Sequence, residues 1–462
     1  GNYMKIVFIV PAADIRRNSI YRFGEKIYGH TNSIVGPLIL GRILENAGHN
    51  VEVYEELYKD LNFNKFKTAD LILLYTMTSN STRAYYIADY FRNKEHKRVI
   101  IGGIHASGMP EEALQHADQV IVGEGERVIK DVVEGKIKDR IVYSKCIENL
   151  DEIPFPDYNI LKTPCDAANV ITSRGCPFKC SFCTTSRMFY PYRKRTPDNV
   201  IEELKMYKKQ GFKYMNFEDD NFTADKARAK EILKKMISNN LVFKETFFFG
   251  RTDMANDEEL LQLLHDAHLN RVLIGIESLN QKSLDDINKK QKISDIEKCG
   301  EVLVKYKIKI IASLVLGLDG DSKDDMEKGE KFCEKINAYQ FQPAILTPFP
   351  KTPIYEQYKN EHRILNNDWQ YFDMMVVNFK PKNMSPYDLQ SEFFKLTKMF
   401  YTFKSSFIMF KIFGFAAGIR RLGLWFAVKF SNIFFKIKSC IKDGNIYNKL
   451  KEISNGMNSF SG

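Results

Sequence analysis

The sequence contains no run of about 18 uncharged residues, which is the length that a membrane-spanning helix requires. It also lacks a disulfide framework, because its eight cysteines are scattered apart from one short group of three. Thiols used in this way are typical of proteins from a reducing compartment. No secretory signal pattern is visible, so we expect a cytoplasmic protein.

The formal net charge of +10 comes from one part of the chain. Residues 393–442 contain ten lysines and arginines and no acidic residue, so the charges of all other residues sum to zero. A protein that binds nucleic acid through a domain surface needs a basic patch on that domain. The charge distribution therefore gives no support to a nucleic-acid partner, and none is expected.

Residues 4–143 alternate strand and helix patterns, as a doubly wound sheet requires. The first pattern, Lys5–Val10, is a continuous apolar run of the kind that buried parallel strands show. A helix pattern from about Gly36 to Ala47 follows. Later strand patterns are Val51–Tyr54, Leu71–Tyr75, Val99–Gly103 and Val120–Gly123. We predict a Rossmann-like amino-terminal domain.

The loops after the last three of these strands are rich in small and polar residues, and their glycines would let the backbone approach a bulky ligand closely. A doubly wound sheet binds its ligand beyond the carboxyl ends of its strands. The pattern alone is compatible with any nucleotide-like ligand or with none. The candidate ligand-binding residues in these loops are Thr76, Thr78, Ser79, Gly102, Gly103, His105, Gly123, Glu124, Gly125 and Glu126.

A connector at 144–165 follows, and its prolines predict extended chain over Asp151–Pro156. From 166 to about 365 strand and helix patterns alternate again, with Asp198, Asp225 and Ser322 as predicted helix N-caps. Six strands each followed by a helix predict an open six-stranded (β/α)6 partial barrel with its site at the carboxyl ends of the strands. The strand patterns are Val170–Thr172, Tyr214–Phe217, Thr246–Phe249, Val272–Ile276, Ile310–Leu316 and Ala344–Thr347.

Cys176, Cys180 and Cys183 have the spacing C-x3-C-x2-C on the loop after the first of these strands. Three thiolates on a short loop can bind three irons of a 4Fe–4S cluster, and the missing fourth ligand leaves one iron open. A zinc site or three unrelated thiols are the alternatives. Zinc would need a fourth ligand nearby, and neither Cys165 nor His265 has a ligand spacing.

The segments Ser173–Pro177 and Cys180–Cys183 closely resemble the radical S-adenosylmethionine enzymes. The glycine-rich loops ahead of them resemble those members of the family that carry an amino-terminal B12-binding domain. This subgroup includes hopanoid and bacteriochlorophyll methylases, phosphonate methylases and an anaerobic cyclase of bacteriochlorophyll synthesis. The resemblance implies a 4Fe–4S cluster on the three cysteines, S-adenosylmethionine on its open iron, and cobalamin in the amino-terminal domain.

The same resemblance implies ligand roles for residues at the strand ends. Carboxylates would bind the cationic amino group of S-adenosylmethionine, Arg251 its carboxylate, and Glu277 its ribose or the substrate side. The Asp-x-His-x-x-Gly motif of many cobalamin proteins is absent, so cobalt would have no histidine ligand. His105 is instead predicted to hydrogen-bond the backbone or a side chain of the cofactor. The implied S-adenosylmethionine residues are Phe182, Glu218, Asp219, Asp220, Arg251, Glu277 and Leu318.

For most members the resemblance implies methyl transfer to an unactivated carbon or phosphorus through a 5′-deoxyadenosyl radical and methylcobalamin, and for this chain we expect a carbon. An electron donor of the flavodoxin or ferredoxin type would reduce the cluster. The alternative is a radical enzyme that catalyses cyclisation, carbon–carbon coupling or rearrangement, with or without cobalamin. The predicted substrate is a small molecule or a lipid.

The carboxyl-terminal region, 366–462, is predicted to be helical, with aromatic residues and lysines alternating between Phe400 and Ile437. Such helices are compatible with a membrane interface. They are equally compatible with a bundle that packs on the barrel and has a solvated lysine face. The membrane interpretation favours a hydrophobic substrate and a peripheral location at the inner face of the cell membrane.

Overall fold

The computed structural model describes residues 3–17, 19, 22, 25–26 and 29–441, and it describes side chains up to Lys429. Lys442 and the end of the predicted carboxyl-terminal region therefore lie outside the described residues. The chain divides into two compact units. The first unit contains the chain up to Pro177, Thr184–Asp219 and Asp368–Gln370. The second unit contains Phe178–Cys183, Asp220–Asn367 and the chain from Tyr371 onward.

A six-stranded parallel sheet with the strand order β2-β1-β3-β4-β5-β6 forms the centre of the first unit. Alternate residues of β1 face opposite sides, so Val7 and Ile9 lie in one hydrophobic cluster and Ile6 and Phe8 in another. Burial on both faces explains the continuous apolar run. The strands are β1 (Lys5–Val10), β2 (Asn50–Glu55), β3 (Leu71–Tyr75), β4 (Arg98–Gly102), β5 (Gln119–Val122) and β6 (Ile141–Tyr143).

Helices connect these strands, and the first long one ends in a Schellman turn at Gly48. Gly48 has φ of +93°, and the N–H of His49 donates to Leu44 O at 3.1 Å. The α-helices along this part of the chain are Val35–Asn46, Phe63–Phe66, Ser81–Asn93, Ile104–Gly108, Pro110–Leu114 and Ile129–Val133. Short 3-10 helices are Asp14–Arg17, Thr78–Asn80 and Gly125–Arg127.

The connector differs in part from its prediction. Leu150–Glu152 forms a 3-10 helix, because the Asn149 side chain accepts the Asp151 N–H at 3.1 Å. The extended conformation predicted for Asp151 and Glu152 is therefore wrong, and extended backbone begins at Ile153. A second 3-10 helix, Tyr158–Ile160, precedes the next strand.

Eight more strands follow. In the first unit, β7 pairs in parallel with β10, and β8 pairs antiparallel with β9. In the second unit, β11, β12, β13 and β14 pair in parallel in chain order. The strands are β7 (Ala167–Val170), β8 (Ser173–Arg174), β9 (Arg193–Lys194), β10 (Tyr214–Phe217), β11 (Glu245–Gly250), β12 (Arg271–Glu277), β13 (Lys309–Leu316) and β14 (Gln340–Ile345).

Two of the six predicted barrel strands are displaced. Strand β7 ends at Val170 because the Thr172 N–H donates to the Asp219 carboxylate instead of to a neighbouring strand. Strand β14 begins four residues earlier than predicted and contains Pro343, a residue that sheets tolerate mainly at an edge. The other four strands lie where the patterns predicted them, within one residue at each end.

Two of the three predicted helix caps are confirmed. Asp225 accepts the Arg228 N–H at 3.1 Å, and Ser322 forms a capping box with Asp325. Asp198 is not a cap, because the Thr196 side chain takes that position and Asp198 lies in the first turn. The remaining α-helices up to Asn360 are Thr185–Met188, Pro197–Lys209, Lys226–Ser238, Glu258–Asp266, Gln281–Asp286, Ile293–Lys305, Lys323–Lys335 and Pro353–Asn360.

The carboxyl-terminal region is helical, as predicted, with helices Pro386–Phe400, Phe403–Phe413 and Phe415–Ile441. Arg421 is buried and donates to Tyr339 O at 2.6 Å, and its guanidinium lies 4.1 Å from the Phe400 ring centroid. Within the described residues, none of the helices combines the length and the apolar character that crossing a membrane requires.

Candidate active site

The three motif cysteines follow the β8 strand, and none of the three forms a disulfide. Cys180 is buried, Cys176 and Cys183 are half-buried, and the Cys183 N–H donates to Cys180 O at 3.2 Å. Three thiols on one loop that form no disulfide are the donor set that a site-open 4Fe–4S cluster needs. Among the described residues, no three His, Cys, Asp or Glu side chains form a group that could hold a single metal ion.

Two cations of the second unit, Lys289 and Arg251, affect the pKa of the Cys180 thiol. Burial raises the pKa of the Cys180 thiol, while the charges of Lys289 and Arg251 act in the opposite direction. A metal-ligating cysteine binds as the thiolate, which nearby cations stabilise. Lys289 was not predicted from the sequence, because it lies in a short polar loop without any periodic pattern.

Lys289 also forms a buried ion pair with Glu277 at the carboxyl end of β12. The Lys289 Nζ lies 2.5 Å from Glu277 Oε1, and both side chains are buried. Glu277 has φ of +63°, a backbone conformation that is uncommon for a residue with a side chain. A Cβ at Gly275 would lie 2.2 Å from Glu277 Oε1 and 2.6 Å from Lys289 Nζ. Glycine at position 275 therefore makes room for this ion pair.

Arg251, at the end of β11, is held by backbone carbonyls. Its Nη2 donates to Lys289 O at 2.6 Å and to Lys290 O at 3.2 Å. Its guanidinium lies 3.8 Å from the centroid of the Phe178 ring, within cation–π range. Within the second unit, Arg251 thus links Phe178, which lies between two of the motif cysteines, to the loop that carries Lys289.

The three acidic residues after β10 differ in their surroundings. Asp219 is fully buried, and it accepts the Thr172 N–H, the Thr172 hydroxyl and the Ser173 hydroxyl, each at 2.6 Å. These contacts satisfy its carboxylate within the protein, so the predicted contact of Asp219 with S-adenosylmethionine is not supported. Glu218 and Asp220 are half-buried on either side of it.

The loop after β13 contains another buried carboxylate, which the sequence did not indicate. Asp321 accepts the Ser278 hydroxyl at 3.0 Å and also the Ser283 hydroxyl. Burial raises the pKa of Asp321 to about 6. Its contact with Ser278 fixes the residue next to Glu277. Of the remaining predicted residues, Leu318 is buried and Phe182 is half-buried.

In the first unit, the predicted cobalamin loops lie at the carboxyl ends of β3, β4 and β5. Thr76 is fully buried, and both its N–H and its hydroxyl donate to Gly102 O at 2.8 Å. Gly103 has φ of +103°, and a Cβ there would lie 2.5 Å from Thr76 O. These contacts of Thr76 and Gly103 therefore hold the loop after β3 against the loop after β4. Gly123, with φ of +87°, and the half-buried Ser79 and Gly125 lie in the same set of loops.

His105 is buried, and both of its ring nitrogens have partners. Nδ1 lies 3.3 Å from the Thr78 hydroxyl, and Nε2 lies 3.2 Å from Glu112 Oε1. Glu112 also accepts from Trp369 Nε1 at 3.0 Å and from the Tyr85 hydroxyl at 2.9 Å. These donors hold the pKa of Glu112 below its usual value, although burial acts to raise it. The partners of the His105 ring are thus protein side chains, and not the backbone that the sequence analysis named as one of two possible partners.

Glu124 connects the loop after β5 to the β8–β9 pair. It accepts from Arg193 Nη1 at 3.0 Å and from the Ile147 N–H at 2.8 Å, and it lies 3.2 Å from Arg174 Nη1. Burial acts to raise the pKa of Glu124, but Arg193 and Arg174 hold it below its usual value. Glu126 pairs with the same Arg174. The two glutamates thus hold the residue that precedes the cysteine loop.

Two families of known proteins match this chain, each over a different part of it. The radical SAM superfamily matches residues 170–333, and the B12 binding domain matches residues 29–133. The chain is 28% identical over 380 residues to bacteriochlorophyllide d C-8(2)-methyltransferase of Chlorobaculum tepidum, covering 77% of this chain and 83% of the relative. It is 25% identical over 348 residues to the anaerobic magnesium-protoporphyrin IX monomethyl ester cyclase of Cereibacter sphaeroides, covering 67% and 56%.

Among solved structures, the chain is similar to the cobalamin-dependent S-adenosylmethionine radical enzyme OxsB with aqua-cobalamin and S-adenosylmethionine bound. The TM-score is 0.65 at 13% identity, with 98% of this chain and 83% of that chain covered. At this identity the likeness shows the fold alone, and it confirms the predicted fold class. The cofactors implied by the sequence, a 4Fe–4S cluster, S-adenosylmethionine and cobalamin, are confirmed by the two domain matches. The chain belongs to the radical S-adenosylmethionine enzymes that carry a B12-binding domain.

Proposed function

We propose that the protein methylates an unactivated carbon of a hydrophobic, lipid-like substrate. The observation that carries this proposal is the presence, in one chain, of a B12-binding domain and a radical SAM domain whose three motif cysteines form no disulfide. When bound, the cluster with S-adenosylmethionine supplies a radical that abstracts hydrogen, and cobalamin supplies the methyl group. The relative from Chlorobaculum tepidum, which matches 77% of this chain, is named as a methyltransferase of bacteriochlorophyllide d.

The residues of the second unit would hold S-adenosylmethionine beside the cysteine loop. Lys289 is one of the two buried cations that act to lower the pKa of Cys180, and we propose it as the partner for the methionine carboxylate. Glu277, held by Lys289, is the candidate partner for the ribose or the amino group. Arg251 then acts by positioning, because its guanidinium is engaged by the carbonyls of Lys289 and Lys290. Asp220 is a further candidate partner for the amino group, and the predicted role of Glu218, which belongs to the first unit, stays a prediction.

The loops of the first unit would hold cobalamin against a surface of glycines and small polar side chains. Thr76 and Gly103 keep the loops after β3 and β4 together, and Glu124 keeps the loop after β5 in place. The binding surface is thus built before any ligand arrives, which lowers the ordering cost of binding. Direct contacts with cobalamin are proposed for the other predicted loop residues, which are Thr78, Ser79, Gly102, Gly123, Gly125 and Glu126.

Replacing His105 with alanine should leave the coordination of cobalt unchanged. The electron paramagnetic resonance spectrum of bound cob(II)alamin should lack nitrogen splitting in both the parent protein and His105→Ala, because Thr78 and Glu112 engage both ring nitrogens. Splitting that is present in the parent and absent in the variant would make His105 a cobalt ligand. Tyr143→Ala, at an exposed position of the same unit, is the control for general effects of substitution.

The test of methyl transfer uses S-adenosylmethionine with an isotopically labelled methyl group. Anaerobically reconstituted protein, a reductant and a bacterial lipid extract should give a labelled lipid, with 5′-deoxyadenosine and S-adenosylhomocysteine in equal amounts. Formation of 5′-deoxyadenosine with no labelled product would favour the second candidate, a cyclisation, coupling or rearrangement. The cyclase of Cereibacter sphaeroides is the observation in favour of that candidate.

The domain bounds and the physiological partners complete the proposal. We assign cobalamin binding to 4–143, a linker to 144–165, the radical chemistry to 166–365, and a helical domain to 366–462. A flavodoxin or ferredoxin is the proposed electron donor, since a cytoplasmic 4Fe–4S enzyme needs a low-potential one-electron reductant. Peripheral contact with the cell membrane would bring a lipid-like substrate within reach.

A further inference from the structure

The helices Phe403–Phe413 and Phe415–Ile441 expose large apolar side chains to solvent. The described part of the chain has eleven exposed large hydrophobic residues, and five of them fall within 403–426. We call these five residues the aromatic face. Their exposed fractions range from 45% to 77%, and they are Phe403, Phe407, Phe415, Ile419 and Phe426. Single exposed hydrophobic residues are common on protein surfaces, but a contiguous group marks an interaction site.

The aromatic face is continuous across the two helices. The ring centroids of Phe403 and Trp425 lie 5.5 Å apart, and those of Phe410 and Phe415 lie 5.7 Å apart. A Cβ at Gly418 would lie 2.2 Å from the Phe410 ring, so this glycine permits the close approach of the helices. The two helices therefore present one surface instead of two separate ones.

The opposite sides of the same helices are already used for packing. Met409 and Ala417 are buried in one cluster with Tyr339, and Arg421 and Leu424 are buried as well. Residues 417, 421 and 424 follow helical spacing, as do 415, 419 and 426 on the other side. The aromatic face is thus not the core of a helical bundle, since the bundle contacts lie on the side away from it.

The charges around the aromatic face have one sign. Lys404, Lys411 and Lys429 are exposed, and no carboxylate lies within ion-pair distance of them among the described residues. The basic residues nearer the barrel are engaged, because Lys395 pairs with Glu327 and Glu392, and Arg420 lies 3.2 Å from Glu245. Fewer than the ten basic residues of 393–442 are therefore available to a partner, and those three border the exposed aromatic rings.

We propose that the aromatic face docks on a phospholipid bilayer that contains anionic lipid. Aromatic side chains insert at the boundary between headgroups and acyl chains, and lysines beside them reach anionic headgroups. A second copy of the chain is a poorer occupant, since two such faces would bring lysines of like charge together. This inference rests on the proposed function in one respect: the bilayer is the source of a hydrophobic substrate.

The test is co-sedimentation of the full-length protein with vesicles, measured anaerobically and without S-adenosylmethionine. Vesicles of phosphatidylcholine with phosphatidylglycerol should bind the protein at least tenfold more tightly than phosphatidylcholine alone. Raising the salt concentration should weaken binding, because surface charges are screened over about 10 Å at 0.1 M ionic strength. No binding to either vesicle at low salt would overturn the proposal.

Two double variants separate the apolar and ionic contributions. Phe407→Ser with Phe415→Ser should reduce binding to both kinds of vesicle at least tenfold, and Lys404→Glu with Lys411→Glu should remove the preference for anionic lipid. Tyr143→Ser and Lys138→Glu are the controls, since they change equally exposed residues of the first unit. Unchanged binding in both double variants would overturn the proposal. Self-association that the serine variant abolishes, without vesicle binding, would instead assign the face to a second copy.

The outcome is independent of the proposed reaction. Vesicle binding needs neither cluster nor cobalamin, whereas 5′-deoxyadenosine formation needs no vesicle. A protein that binds vesicles but transfers no labelled methyl group would contradict the proposed function and leave the docking surface in place. A protein that transfers methyl groups but does not bind vesicles would contradict the docking surface and leave the proposed function in place.

Discussion

Replacing Cys176, Cys180 and Cys183 together with alanine removes the iron–sulfur absorption of the reconstituted protein and stops formation of 5′-deoxyadenosine. The reason is the donor set: the triple variant has no thiolate left on this loop to bind iron. The single variant Cys180→Ala should have nearly the same effect, because Cys180 is the buried member next to Lys289 and Arg251. Absorption spectroscopy and liquid chromatography of the anaerobic reaction measure the two quantities.

Cys299→Ala is the control for the loss of a thiol. Cys299 is buried in the helix Ile293–Lys305, and burial raises the pKa of its thiol to about 12, so it does not supply a thiolate at neutral pH. Cluster content and 5′-deoxyadenosine formation should be retained in this variant. A triple variant that still forms 5′-deoxyadenosine would contradict the assignment of the cluster to the motif.

Asp219→Ala should lower the stability of the protein more than it lowers affinity for S-adenosylmethionine. The change leaves three buried donors without an acceptor, which are the Thr172 N–H and the hydroxyls of Thr172 and Ser173. Each buried donor left unsatisfied costs about 1–3 kcal/mol, so the free energy of unfolding should fall by at least about 3 kcal/mol. Urea unfolding followed by circular dichroism, under anaerobic conditions, measures the change.

Two further variants make the Asp219 result interpretable. Asp219→Asn keeps one carbonyl oxygen as an acceptor and should lose about half as much stability as Asp219→Ala. Asp139→Asn, at an exposed position, should leave the urea midpoint within experimental error of the parent. If Asp219→Asn instead weakens S-adenosylmethionine binding strongly at unchanged stability, Asp219 contacts the ligand and the structural role assigned to it is wrong.

Strands could be predicted from the sequence where both of their faces are buried, because burial then requires an unbroken run of apolar residues. Lys5–Val10 is buried on both faces of the sheet, so its apolar run has the same bounds in the sequence and in the structure. The short edge strand β6, Ile141–Tyr143, was missed because three residues are too few for a periodic pattern. Strand β14 was displaced because its interior proline does not belong to an ordinary strand pattern.

The site residues were less predictable because their roles depend on partners distant in the chain. Asp219 has the residue type of a ligand-binding acid, but Thr172 and Ser173, more than 40 residues earlier, occupy its oxygens. Lys289 has no motif of its own, and only the fold places it beside Glu277. In residues 393–442, the sequence shows ten basic residues but not which of them are exposed. In the structure Arg421 is buried, and Arg420 forms an ion pair with Glu245.

The β8–β9 pair closes the loop 175–192, which contains all three motif cysteines, and Glu124 contacts both ends of that loop through Arg174 and Arg193. One carboxylate thus holds both ends of this loop in the folded chain. Part of the entropy cost of bringing the three thiolates together is therefore met by folding, before any iron binds.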